Sequence, residues 1–106
     1  MRIDKLTTKF QEALGDAQSI AARHDNSYIE PVHVLLAMLR QSDASARSLL
    51  QRAGANVNAL TSALEAAVKR LPQVKGGDGQ IQVGRDLTSV LNAADKEAQK
   101  HGDSYI

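Results

Sequence analysis

One segment of this chain is written twice. Residues 85–106 laid over residues 8–29, at a constant offset of 77, agree at seven of twenty-two positions without a gap. Leu14 matches Leu91, Ala17 matches Ala94, Ala21 matches Ala98, His24 matches His101, and "SYI" matches "SYI". Phe10 with Leu87, Ala13 with Val90, Arg23 with Lys100 and Asn26 with Asp103 are conservative pairs besides. The retained positions form an apolar stripe and the turn that follows it, so the echo preserves a helix face and its exit while the solvent face drifts. In the first copy "EPVHVLLAML" comes next, whereas the second copy stops at Ile106. The expected fold is therefore all-α, a pseudo-twofold pair of four-helix repeats. Residues 1–72 form the first, 73–85 a Gly-rich linker, and 86–106 the opening of a second that is truncated after its first helix.

Helical periodicity supports that layout. Leu6, Phe10, Ala13, Leu14, Ala17 and Ala21 recur at steps of three and four, giving one stripe on a helix from about Thr8 to Arg23. Thr8 and Gln11 have capping-box spacing, and "HDNS" ends the helix because its side chains compete for local backbone groups. Pro31 suits the first position of a second helix through "VHVLLAMLRQ", which is apolar around much of its circumference and so is expected to be central. A third helix, "ASARSLLQRA", stops at Gly54, and Asn56 is placed to cap a fourth, "VNALTSALEAAVKRL". That fourth helix aligns Val57, Leu60, Leu64, Ala67, Val68 and Leu71. From Pro72 to Arg85 four of the seven glycines break every helical period, so "PQVKGGDGQIQVGR" reads as loop. "QIQV" is too short to assign as a strand. A fifth helix then carries Leu87, Val90, Leu91, Ala94 and Ala98, capped by Asp86 and ended by Gly102.

Composition removes several function classes. Thirteen basic and twelve acidic residues give a formal charge of +1, which does not call for a polyanionic partner. "EPVHVLLAMLRQSDASARSLLQRAG" could pass for a helix-turn-helix, but its would-be reading helix holds only Arg47 and Arg52, too few for a specific nucleic-acid reader. There is no cysteine, and His24, His33 and His101 match no common zinc spacing, so no metal is expected. His24 and His101 read as helix-end residues facing unpaired carbonyls. No carboxylate pair, Ser-His-Asp set or nucleophile elbow can be assembled, and nothing resembles G-x-x-x-x-G-K-[ST]. No stretch has the length of a signal core or a membrane span, and the absence of cysteine is compatible with the cytosol. The expected domain is not an enzyme, has no membrane partner and is cytoplasmic.

"RIDKLTTKFQEALGDAQSIAARHDNSYIEPVHVLLAML", "LLQRAGAN" and "LPQV" before a Gly-rich loop resemble the amino-terminal Clp-repeat domain of the Hsp100/Clp family of AAA+ unfoldases, in its ClpB-type disaggregase branch. The similarity runs through essentially every residue. It implies a mobile domain above a homohexameric ring that engages exposed apolar segments of unfolded or aggregated polypeptides before they are threaded. It also implies two ATPase modules using ATP and Mg, and cooperation with an Hsp70 system, all outside this domain, which itself needs no cofactor. The alternative is a domain that binds an adaptor protein, as in the protease-linked branches.

For the site, the resemblance implies Thr7 and Asp103 as polar positions beside a client groove between the repeats. Leu91, with Leu87 and Val90, is expected to supply its apolar floor. Read without the resemblance, Thr7 is a helix cap, Asp103 a turn residue and the three apolar residues core. The early stop also leads to an expectation that the Leu87–Ala98 stripe lacks cover, met by a swapped dimer or by a longer parent chain.

Overall fold

The computed structural model describes residues 7–41, 45–74, 81–100 and 102. Five helices follow one another: α1 (Thr8–Arg23), α2 (Pro31–Leu39), α3 (Ser45–Arg52), α4 (Val57–Arg70) and α5 (Arg85–Lys100). The helix bounds repeat at the sequence offset. Thr8 and Arg23 of α1 fall 77 residues before Arg85 and Lys100 of α5, and both helices have 16 residues.

Local chemistry sets the ends. Thr7, one residue before the cap expected from Thr8, accepts the Phe10 N–H on its Oγ1 at 3.2 Å. At the other end of α1, Asp25 adopts a left-handed φ of 55°. Its N–H bonds to Ala22 O at 3.2 Å and that of Asn26 to Ala21 O at 2.9 Å, which satisfies carbonyls the helix leaves open. Gly102, the repeat partner of Asp25, has φ 73° and bonds to Gln99 O at 3.1 Å. Asn56 caps α4 as expected, accepting the Ala59 N–H at 3.1 Å. Asp86 does not cap α5. Gly84 precedes the helix, Thr88 bonds to its carbonyl through both N–H and Oγ1, and Asp86 sits in the first turn, where a carboxylate favours the positive helix end.

α2 is central, as its all-round apolarity predicts: it packs against α1, α3, α4 and α5, with His33, Val34, Leu36, Ala37 and Leu39 buried. The core joins it to Ala17 and Ile20 of α1, Val68 of α4 and Leu87 of α5. With so few rings, the interior is closed by many small aliphatic contacts. Exposed Arg40 and Glu65 pair at 3.0 Å between α2 and α4, a contact that adds little stability in water.

The stretch expected to be plain loop contains one element the periodicity missed. Gln82–Val83 (β2) pairs in parallel with Tyr28–Ile29 (β1), Tyr28 opposite Gln82 and Ile29 opposite Val83. Ser27 O accepts from Gln82 N–H at 3.2 Å and Ile29 O from Gly84 N–H at 2.9 Å. Two residues are too short to show alternation, so tertiary pairing decides this strand. It docks the segment before α5 onto the turn after α1. Along α5 only Leu87 is buried; Leu91, Ala94 and Ala98 are half-buried.

Candidate functional site

Among the described residues, recesses open at the helix junctions, and two of them are mainly apolar. The first, about 350 Å³, lies where the start of α1 meets the end of α2 and α3. Thr7 caps α1 at its edge, so Phe10 and Ala13, one and two turns on, face inward with Met38 of α2. Ala46 and Leu49 of α3 form the opposite wall, and Leu49 is 69% exposed. Gln41 Nε2 donates to Lys9 O at 3.0 Å, bracing the exit of α2 against the first turn of α1.

The second recess, about 280 Å³, lies between the turn after α1 and the exit of α4, lined by Asn26, Ser27, Tyr28, Glu30, Leu71 and Pro72, with Val74 at its end. A buried polar chain forms its back. His33, fully buried, accepts the Glu30 N–H on Nδ1 at 2.9 Å. With Nδ1 accepting, Nε2 carries the proton and donates to Asn26 Oδ1 at 3.0 Å. Asn26 Nδ2 in turn donates to Pro72 O at 3.1 Å. Burial, and secondly the nearby His24, hold the His33 pKa below the ordinary histidine value, so the neutral ring these bonds require is the favoured form.

The residues picked out from the sequence do not gather in one place. Thr7 lies in the α1–α2–α3 recess, but none of Leu87, Val90 and Leu91 lines it. Leu87 is 1% exposed and packs in the core, the position expected of it when read without the resemblance. Leu91 is half-buried against that core, and Val90 is 52% exposed. Asp103 lies outside the described residues. Leu49 and Met38 were missed, although the adjacent pair Leu49–Leu50 carried a signal: neighbouring residues point about 100° apart, so on a short helix with a narrow buried stripe one of two adjacent leucines is left toward solvent. His33 was discounted as a ligand, and its position within the apolar run "VHVLLAML" marked a buried polar group that needs partners.

Among the described residues no group of three His, Cys, Asp or Glu side chains could hold a metal ion. No helix there is long and apolar enough to cross a membrane. What the first recess can do is cover apolar side chains. Burying two or three of them yields roughly 5–8 kcal/mol before the cost of association, which corresponds to binding no tighter than micromolar.

Comparison with known proteins follows the same lines. The pattern of the Clp repeat (R) N-terminal domain matches residues 5–106. The chaperone protein ClpB of Vibrio cholerae is 45% identical over 106 residues, all of this chain and 12% of that protein. The chain thus spans about an eighth of the curated relatives it matches. Among solved structures, the N-terminal domain of the ClpV1 ATPase from enteroaggregative E. coli superposes with a TM-score of 0.88 at 23% identity, over 97% of this chain and 62% of that one. The N-terminal domain of Hsp104 from Candida albicans superposes with a TM-score of 0.84 at 22% identity, over 96% of this chain and 67% of that one.

Proposed function

The chain belongs to the Clp repeat N-terminal domain family, and from that premise we propose that it is the client-docking domain of a ClpB-type disaggregase. The observation that carries the reading is the open recess of Phe10, Ala13, Met38, Ala46 and Leu49, edged by Thr7, in a chain similar along its whole length to ClpB. An unfolded polypeptide offers apolar side chains that such a recess shields from water. The resemblance adds a second set of client contacts to this proposal, Leu87, Val90, Leu91 and Asp103, apart from that recess; of these Val90 is exposed and Leu91 half-buried. Weak binding suits the task, since a client held briefly can be handed on.

The wider setting is part of the same proposal. Residues 1–72 are the first repeat, 73–85 the linker and 86–106 the start of the second. The whole protein is a cytoplasmic homohexamer whose ATPase modules use ATP and Mg, and which works with an Hsp70 system. This domain itself takes no cofactor.

The test is an NMR titration of the chain with an unfolded, non-aggregating polypeptide, repeated with Leu49→Ser and Leu91→Ser. Direct docking predicts shifts around Thr7, Phe10 and Leu49 that are lost in Leu49→Ser while the rest of the spectrum is retained. An unchanged spectrum with the client, and shifts with an adaptor protein instead, would transfer the role to adaptor binding.

A further inference from the structure

The polar chain behind the second recess has a role that client docking does not use. His33, Asn26 and Pro72 connect the first turn of α2 and the turn after α1, seven residues apart in sequence, to the exit of α4, 46 residues beyond Asn26. Each ring nitrogen is committed, one as acceptor from Glu30 N–H and one as donor to Asn26. Glu30 then reaches the end of the linker before α5. Its side chain fills the space beside the Gly84 α-carbon, where any side chain on residue 84 would stand, and Gly84 N–H bonds to Ile29 O, the residue before Glu30. The position of Glu30 therefore governs how β2, and α5 behind it, seat on β1.

We propose that His33, Asn26 and Pro72 form a protonation-sensitive latch on the junction between the α1–α4 unit and α5. A proton taken from solvent on Nδ1 turns an acceptor into a second donor, directly opposite the Glu30 N–H. The two donors repel, the α2 cap shifts, and the Glu30–Gly84 and Ile29–Gly84 contacts loosen with it. Asn26, Glu30 and Pro72 all line the 280 Å³ recess, so the same event widens it beside Tyr28 and Leu71.

The charges around the ring favour this response. His24, from the end of α1, opposes a proton on His33. Glu30 presents its backbone N–H to the ring. Lys69 and Arg70 at the end of α4, and Arg85 and Asp86 at the start of α5, are exposed to solvent. From the α4 exit the network is met by the neutral Pro72 carbonyl. A latched state that resists the proton, next to an opened state that accepts it readily, must open more as pH falls, by up to about tenfold per pH unit below the ordinary histidine pKa.

The experiment is amide hydrogen exchange of the full chain, read by ¹⁵N NMR from about pH 7.5 to 5 and corrected for intrinsic exchange chemistry. The latch predicts that opening at Gly84 rises several-fold on acidification while Leu36 and Ala37 amides stay protected. The imidazole ¹⁵N shifts of His33 should report the Nε2–H tautomer at neutral pH. His33→Gln, which cannot titrate, should flatten the Gly84 slope. Asn26→Asp should raise opening at every pH and also flatten the slope, because a carboxylate beside Nε2 lets the latched ring hold its proton. Should the glutamine variant fail to fold, the slopes of wild type and Asn26→Asp decide. A pH-independent Gly84, a rise shared equally by Leu36 and Ala37, or an Asn26→Asp slope equal to wild type would each overturn the proposal.

Discussion

His33 Nε2 lies 3.0 Å from Asn26 Oδ1, and both side chains are buried. The pair spans seven residues of sequence, yet it connects the exit of α1 to the heart of α2. Its strength lies less in the bond than in the cost of removing half of it. Asn26→Ala leaves the His33 N–H and the Pro72 carbonyl without a partner, so a loss of about 2–4 kcal/mol is expected, measured by urea denaturation. A variant as stable as wild type would show that water replaces Asn26 without penalty.

The pH dependence of stability follows from the same ring. The folded pKa of His33 is lowered, by burial first and by His24 second. The unfolded chain therefore binds this proton more readily, and folding gains from His33 only while both states are deprotonated. That contribution is complete above about pH 6.5 and is lost as pH falls through the lowered folded value. Urea midpoints should drop between pH 7.5 and 5.5 in wild type, and by less in His33→Gln.

A side chain at residue 84 would crowd both Glu30 and Ile29. An added Cβ would run into the Glu30 carboxylate and lie 3.1 Å from Ile29 O. Gly84→Ala should cost about 1–3 kcal/mol through overpacking. Adding Glu30→Ala should recover only part of the loss, because the Ile29 carbonyl still has to give way. Thermal melts of the two single variants and the double variant check this by their non-additivity.

Leucines that look alike in the sequence should behave differently. Leu87→Ala empties a sealed core position and should cost about 2–5 kcal/mol. Leu49→Ser, at a side chain already 69% exposed, should leave the melting temperature nearly unchanged and weaken client binding instead. Parallel melting and titration of the two variants separates core from recess.

Helix existence, order and most caps were legible because they depend on neighbours within four residues. The apolar steps of α1, the Pro31 start, the Gly54 stop and the Asn56 cap all express such short-range preferences. So did the repeat, since a retained helix face and turn reproduce α1 in α5 with the same bounds and the same left-handed exit. The site was less legible. Thr7 edges a recess whose other walls come partly from α2 and α3, and no spacing along one helix announces which faces of three helices will meet.

By itself the sequence determined that this chain is helical, that it is a repeat and which family it joins. Only the tertiary structure decided that Leu87 is sealed while Val90 is not, that Gln82–Val83 becomes a strand, and that Asn26 reaches Pro72, 46 residues away. The physical reason is range. Helical hydrogen bonds are closed within a turn and leave a period that can be read, whereas a buried polar group finds its partner only after packing has excluded water and brought distant backbone within hydrogen-bonding distance.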